Sequence, residues 1–479
     1  MTRELWPHQK QALADIRRAF GVGTSSPGFR RVCYQLPTGG GKTDIMCQIA
    51  KGCLENGLRV RMDTHRRELV DQIVERLGIF GITPGIIAAG YPNDIYAQCQ
   101  VASIDTYIRR LGQYERFDII FRDECHHAPS PKWRNSLDGD ASHVLGVSAT
   151  PRRLDGRPLS DDYDVIICGP TVPELIAAGF LVQPLVYAPP IAFDRDALKM
   201  RGGDFAKDDL TEALEKSKAK IFGDAIRHYK EICPGTAAIA FCHSVKAAQE
   251  FAEKCNEAGI PAASINGEMN RYERSMHLDN LKSGAISVLA NCELLGEGVD
   301  VPRVEACILL RPTASESLCL QQIGRALRAD KERGKTCAYI LDHVGNVLEH
   351  GLPDEPRTWS LEGKAPRKRK DGVEVAPAIT TCRNCFAMFR PAPVCPRCGT
   401  AVQHKERKFE MVDGQLMLIT DPALLQREER RIAKEKLEME LRKAESLTDF
   451  IDIAKSRNYE IGWARMQYNM RNKWKRKKA

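Results

Sequence analysis

No run of apolar residues in the sequence approaches the roughly 20 that cross a bilayer, which argues against a helical membrane protein. The stretch from Met1 to Phe20 has no apolar centre of the kind that marks a secretory signal. Excess charge is also scarce. A balance of +8 over 479 residues is too small to argue for a nucleic-acid partner by itself, so where the charge sits matters more. No nuclease constellation stands out. What the chain has in quantity is ordinary globular material: 43% hydrophobic and 28% charged residues, with length for two to three domains. The seventeen cysteines would signal disulfides in a small secreted protein, but most stand singly in apolar stretches, as Cys33, Cys47 and Cys307 do. They read as small buried thiols, and the expected setting is reducing and cytoplasmic.

Two long segments alternate short β-rich runs with amphipathic helical runs, the signal for parallel α/β sheets. In the first, strands are predicted at Arg31–Leu36, Arg59–Met62, Phe117–Phe121 and Val144–Val147, with a helix stripe through Ile45, Ile49 and Cys53. The second has strands at Ala237–Phe241, Ile286–Ala290, Ala306–Leu310 and Cys337–Leu341, and helices near Val245–Ala258 and Ser317–Leu327. The expected division is 1–187 and 216–350 for the α/β domains, joined by a segment at 188–215 rich in Pro, Gly and charge. A basic linker at 351–378, a cysteine module at 379–402 and a charged helical tail at 403–479 follow.

The chemistry concentrates in a few places. Thr38, Gly39, Gly40, Gly41, Lys42 and Thr43 lie between a predicted strand and a predicted helix. Consecutive glycines let backbone N–H groups curl around phosphate oxygens, the helix N-terminus adds its dipole, Lys42 reaches the outer phosphates and Thr43 holds Mg²⁺. A strict phosphate loop wants Gly or Ala where this chain has Leu36, so a chance Gly-rich turn is the competing reading. Asp123 and Glu124 close an apolar strand at the end where α/β sheets bind ligands. One carboxylate suits the metal (Asp123) and its neighbour suits the attacking water (Glu124).

With these residues the chain resembles the superfamily 2 helicases of the DEAD/DEAH-like group over roughly Leu5 to Val347, with Cys125 making a DECH box. The resemblance implies two tandem RecA-like domains, ATP and Mg²⁺ as cofactors and a nucleic-acid partner. It implies that Gln9 reads the adenine, and that Ser148 and Thr150, with Ala149 between them, link hydrolysis to strand movement. Gln321, Arg325 and Arg328 fit the family pattern Gln-x-x-Gly-Arg-x-x-Arg at every fixed position. The two arginines, three apart on one predicted helix face, are assigned to the γ-phosphate. Gly298 and Asp300 match the segment that completes the nucleotide site, while Arg66, Ser103 and Ser244 fall in segments that grip the nucleic-acid backbone. His126 is either a coupling residue, turned toward Ser148 or Gln321, or a packed histidine.

Cys382-x-x-Cys385 and Cys395-x-x-Cys398 form two paired knuckles nine residues apart. Four thiolates suit a structural Zn²⁺ and read as a zinc ribbon, against a redox pair or an iron–sulfur site. Position beyond a basic linker predicts a module free to move relative to the second domain. DNA is the favoured substrate, RNA the alternative, and a nucleotide-gated clamp without strand separation the rival of another class. The ribbon and the tail are candidate docking sites for protein partners. The basic end at Lys473–Lys478 is read either as a nucleic-acid contact or as a solubilising tail.

Overall fold

A computed structural model describes the chain apart from residues 1–3, 26, 65–66, 127–140, 154, 189–199, 202–203, 206–209, 211–213, 215–217, 268, 293–300, 363–378, 383, 402–440, 442–443, 445, 457–458, 460 and 479. Arg66, Gly298 and Asp300 therefore lie outside the described residues, as do the basic run near 366–370 and most of the charged stretch from 422 to 446.

The first lobe runs α1 (Pro7–Ala19), β1 (Arg31–Gln35), α2 (Lys42–Glu55), β2 (Val60–Thr64), α3 (Arg67–Ile79), β3 (Gly85–Ile87), β4 (Cys99–Ser103), α4 (Ile104–Arg109), β5 (Phe117–Asp123), β6 (Ala141–Ser148), β7 (Val165–Cys168) and α5 (Val172–Ala177). Its seven strands are ordered β3-β4-β2-β5-β6-β1-β7, all parallel. Strands covered on both faces read as continuous apolar runs rather than alternating ones, which is why Phe117, Ile119, Ile120 and Phe121 are buried together. The helix stripe predicted from Ile45 and Ile49 packs with Met46 and Ala50 against Val32, Leu36 and Val147.

The second lobe contains β8 (Gln183–Tyr187), the short hairpin β9 (Met200–Arg201) and β10 (Asp204–Phe205), α6 (Lys218–Ile232), β11 (Ala238–Phe241), α7 (Val245–Glu257), β12 (Ala262–Ile265), α8 (Arg271–Ser283), β13 (Val288–Asn291), β14 (Ala306–Leu309), α9 (Glu316–Gly324), β15 (Cys337–Asp342) and α10 (Asn346–His350). β16 (Thr380–Thr381) and β17 (Ala387–Phe389) complete its sheet, ordered β12-β13-β11-β14-β15-β8-β17-β16.

The fold departs from the sequence pattern in three places. The first lobe was expected to run to residue 187, but β8 pairs in parallel with β15 of the second sheet, from Gln183 opposite Cys337 to Leu341 opposite Tyr187. The chain has already changed lobes by Gln183. Residues 351–362, linker-like in composition, pack back onto the first lobe, with Leu361 buried among Cys33, Val144, Leu159 and Tyr163. The cysteine module, expected to move freely, is fastened to the second sheet: β17 pairs antiparallel with β8, and Cys382 and Cys395 share a core with Tyr187 and Ala225.

Within 188–215, expected to connect rather than to build structure, the Asp204 carboxylate accepts hydrogen bonds from Ala314 N–H at 2.8 Å and Thr313 Oγ1 at 2.9 Å, and pairs with Arg311 at 3.0 Å. The loop leading into α9 is thereby held. In the separate C-terminal unit, α11 (Leu447–Ser456) and α12 (Ile461–Lys478) pack around Phe450, Ala454 and Ala464, with Tyr468 edge-on to Phe450 at 5.9 Å.

Candidate nucleotide site between the lobes

The phosphate loop leaves β1 and enters α2 through two glycines in the left-handed region, Gly39 at φ 88° and Gly41 at φ 85°. Side chains there would be strained and would also collide, since a Cβ on Gly41 would strike the Gln9 amide. Gln9 is buried and fixed at both ends: its Oε1 accepts from Trp6 N–H at 2.8 Å, and its Nε2 donates to the Gly41 carbonyl at 3.3 Å. Lys42 Nζ spans the loop to the Leu36 carbonyl at 3.3 Å. Leu36, the departure from the strict loop pattern, packs beneath Gly40, where a Cβ would meet its side chain at 2.6 Å.

Asp123 ends β5, and Glu124 follows it with φ 48°, a left-handed conformation rare outside glycine. Such strain concentrates where a side chain must be aimed. Asp123 Oδ1 accepts the Glu124 N–H at 3.0 Å. His126 Nδ1 lies 2.8 Å from Ser148 Oγ and 3.4 Å from Glu124 Oε2, and Ser148 Oγ accepts the Thr150 N–H at 3.0 Å. Toward Ser148, one of the two directions expected for His126, the ring makes this contact. All four are buried, so these polar contacts form in a region of low dielectric.

The second lobe reaches this cluster directly. Gln321 Nε2 donates to Glu124 Oε2 at 3.3 Å. A Cβ on Gly324 would stand 2.6 Å from Thr38 Cβ, and one on Gly39 would stand 3.2 Å from Arg328 Cγ, so the end of α9 rests on the phosphate loop. The spacing predicted that the two arginines share a helix face, and they do not. α9 stops at Gly324, Arg325 is its C-cap, and Arg328 lies beyond it in a bridge to Leu181. Gly324 lets the helix end approach Thr38, and both arginines follow in a short irregular segment.

Sequence reasoning missed the struts around the cleft. Glu316, the first residue of α9, takes Arg152 of the first lobe on one oxygen and Arg357 on the other, the latter at 3.0 Å. Arg152 also lies over the Trp359 ring, 4.7 Å from its centroid, and donates to the Thr358 carbonyl at 3.2 Å. Leu361 O accepts from Leu159 and Ser160 N–H at 2.6 and 3.1 Å. The segment 353–361 is thus a strap from the second lobe to the first. It roofs a cavity of about 290 Å³ between Thr38, Thr150, Gly324 and Trp359. A second missed pair is Arg61 with Asp63, fully buried and joined at 2.7 Å, with the guanidinium 3.7 Å over Tyr107. Isolated charges in a strand carry no pattern that announces such a pairing.

The backbone-gripping candidates divide. Ser103 ends β4 at the start of α4 and is buried. Ser244 caps α7, its Oγ accepting from Ala247 N–H at 3.1 Å, so part of that hydroxyl's capacity is spent on the helix. In the ribbon, Cys382 and Cys398 sulfurs are 3.6 Å apart and Cys385 and Cys395 sulfurs 3.7 Å, with all four within 4.8 Å. Sulfurs roughly 2.3 Å from a shared centre stand about 3.8 Å apart at tetrahedron corners, so the quartet has the size zinc requires. Within the quartet the thiols share protons: hydrogen bonds from Thr400 hold the Cys398 thiol below its usual range, while burial raises that of Cys385.

A phosphate loop and an acidic pair on one sheet, met by Gln321 and the stem of Arg328 from a second, define a two-lobed nucleotide-driven motor. The comparisons agree. Residues 2–153 match the family described as type III restriction enzyme, res subunit, and residues 218–330 match the helicase conserved C-terminal domain. A 51.5 kDa protein of a Lactococcus phage is 31% identical over 442 residues, covering 91% of this chain and 89% of that one. The putative ATP-dependent helicase IRC3 of Saccharomyces cerevisiae is 29% identical over 344 residues, 68% of this chain but only 50% of its own length. A putative HsdR fragment of a type I restriction enzyme from Vibrio vulnificus shares the fold, with TM-score 0.55 at 22% identity over 72% of this chain and 65% of that one. The chain belongs to the superfamily 2 helicases of the DEAD/DEAH-like group. Among the described residues no helix is long and apolar enough to cross a membrane.

Proposed function

We propose that the protein is an ATP-dependent DNA translocase or helicase working in the cytoplasm. The reading is carried by the hydrogen bond from Gln321 to Glu124, which ties the carboxylate assigned to the attacking water to the helix that leads into Arg325 and Arg328. The loop from Thr38 to Thr43 cradles the phosphates, Lys42 binds the outer two, and Gln9 serves the adenine end while bracing Gly41. Thr43 and Asp123 offer hard oxygen ligands at the C-terminal edge of the sheet, as Mg²⁺ prefers. When bound there, Mg²⁺ neutralises charge on the transferred phosphoryl group. Glu124 orients the water, and Arg325 and Arg328 stabilise charge developing on the γ-phosphate.

Because the phosphate binders and the arginines come from different lobes, ATP favours the closed pair and hydrolysis loosens it. Glu124, His126, Ser148 and Thr150 form the relay that passes the nucleotide state along the first lobe. Arg66, Ser103 and Ser244 fall in the family segments that grip the backbone, and Gly298 and Asp300 in the segment that completes the nucleotide site, so recognition is by phosphate rather than base. The four cysteines would hold one structural Zn²⁺, which would fold a ribbon whose strand β17 pairs with β8 of the second sheet. Fold alone does not choose the nucleic acid. The restriction-modification enzyme LlaBIII, bound to DNA, has TM-score 0.50 at 16% identity over 71% of this chain and 28% of its own, and a yeast Dbp5 variant bound to RNA also has 0.50. DNA is favoured by the match over 2–153 to a restriction-enzyme family.

The test is ATPase stimulation and unwinding measured on single-stranded, duplex, forked and hybrid substrates of DNA and RNA. The proposal expects DNA to stimulate more strongly. Stimulation by RNA alone would reassign the substrate, and binding with neither stimulation nor unwinding would favour a clamp.

A further inference from the structure

Past Gly324 the chain is no longer helical, so Arg325 and Arg328 are not held by the regular bonding of α9. The carbonyl of Leu327 is taken by Val182 N–H at 2.9 Å. The flanking carbonyls are taken by a single side chain. Lys335 is half-buried, and its Nζ turns inward to the Ala326 and Arg328 carbonyls, both at 2.7 Å, and to the Val304 carbonyl at 2.5 Å, with that of Pro302 further off at 3.4 Å. An ammonium has three N–H donors, and three carbonyls stand at full hydrogen-bonding distance. The same nitrogen therefore joins the segment carrying the arginines to the chain just past Val301.

We propose that Lys335 is a positioning residue for ATP hydrolysis: its ammonium pins the Ala326 and Arg328 carbonyls and so aims Arg325 and Arg328 at the nucleotide. The proposal rests on the reading of those arginines as γ-phosphate groups. A neutral amine has only two donors and no fixed charge, so losing the proton leaves one carbonyl without its partner. Burial lowers the Lys335 ammonium from 10.5 to about 8. Of the groups facing it, Glu305 and Asp330 favour the charged form, as does the Cys337 thiol when ionised, and Arg328 opposes it.

The sign separates aiming from mere stability. The folded state sheds this proton before the unfolded chain does, so Lys335's contribution to stability rises between about pH 8 and 10.5 while the aim is lost. Turnover should fall as pH rises through about 8, without a matching fall in melting temperature.

The experiment measures kcat and KM for ATP from about pH 7 to pH 9 in the parent, Lys335→Met and Lys335→Arg, with melting temperatures alongside. In the parent the expected result is an alkaline limb centred near 8. Lys335→Met should show kcat lower by about tenfold or more, KM within about threefold and no such limb, because misaiming affects the transition state more than binding. Lys335→Arg, which keeps its charge, should also lack the limb and supplies the answer if Lys335→Met does not fold. Parental kcat in Lys335→Met, or an alkaline limb kept in either variant, would overturn the inference. Arg325→Ala is the control: if it leaves kcat unchanged, the arginine assignment itself has failed, whereas a loss there beside an unaffected Lys335→Met rejects the role of Lys335 alone.

Discussion

The Gln321 side chain donates to the Glu124 carboxylate at 3.3 Å, joining positions 197 residues apart on opposite lobes. On the proposed reading, this one bond makes the geometry of the attacking water depend on the second lobe being in place. Glu124→Gln should keep nucleotide affinity and lose most turnover, because the pocket keeps its shape without its base. Gln321→Ala should lower kcat by about tenfold with KM for ATP little changed. Steady-state kinetics with and without DNA check both. Parental turnover in Glu124→Gln would remove that residue from its role.

The strap makes a prediction about stability rather than chemistry. Leu361 fills a small core with Cys33, Leu159 and Tyr163, and its carbonyl is bonded to Leu159 and Ser160. Leu361→Ala should cost about 2 kcal/mol in the transition that unfolds the first lobe and should expose the strap to protease. Urea unfolding and limited proteolysis measure the two effects. An unchanged midpoint with unchanged cleavage would mean the strap does not hold the lobes.

Metal content gives a third test. The parent should carry about one zinc per chain, and a variant with Cys395→Ser and Cys398→Ser almost none. The pairing of β17 with β8 means that the loss should lower the melting temperature of the second lobe as well as unfold the ribbon. Metal analysis beside calorimetry checks this. Full stability in the metal-free variant would make the ribbon an independent cap, and an absence of zinc in the parent would return the cysteines to a redox or iron–sulfur reading.

Nucleic-acid affinity should fall steeply between about 50 and 200 mM salt and depend little on base sequence, since phosphate contacts dominate. Reversing charges across Lys473–Lys478 should weaken binding equally on all sequences, as measured by fluorescence anisotropy. A solubilising tail would leave affinity unchanged.

Much of this architecture was legible in the residues. Fully buried parallel strands are uninterrupted apolar runs, and the phosphate loop, the acidic pair and Gln321 to Arg328 are local patterns whose spacing states their chemistry. What stayed hidden depends on contacts between distant segments. Nothing near Gln183 says which sheet it will join, because an apolar strand suits either edge. Residues 351–362 are polar and contain proline, which reads as linker, yet Arg357 and Leu361 find partners on two lobes. The arginines were expected on a helix face because their spacing of three fits one. Gly324 ends the helix instead, where its missing side chain lets it approach Thr38. Nothing in the sequence sets Lys335 apart, since the four carbonyls around it leave no trace there.

The central claim is that one ATP site is built from both lobes, and Arg325→Ala tests it most directly. Nucleotide binding, followed with a fluorescent analogue, should stay near the parental affinity, while kcat on DNA should fall by about a thousandfold, as for an arginine serving the transferred phosphoryl group. A loss of less than about fivefold, with binding intact, would show that the second lobe contributes no such group and would contradict the account.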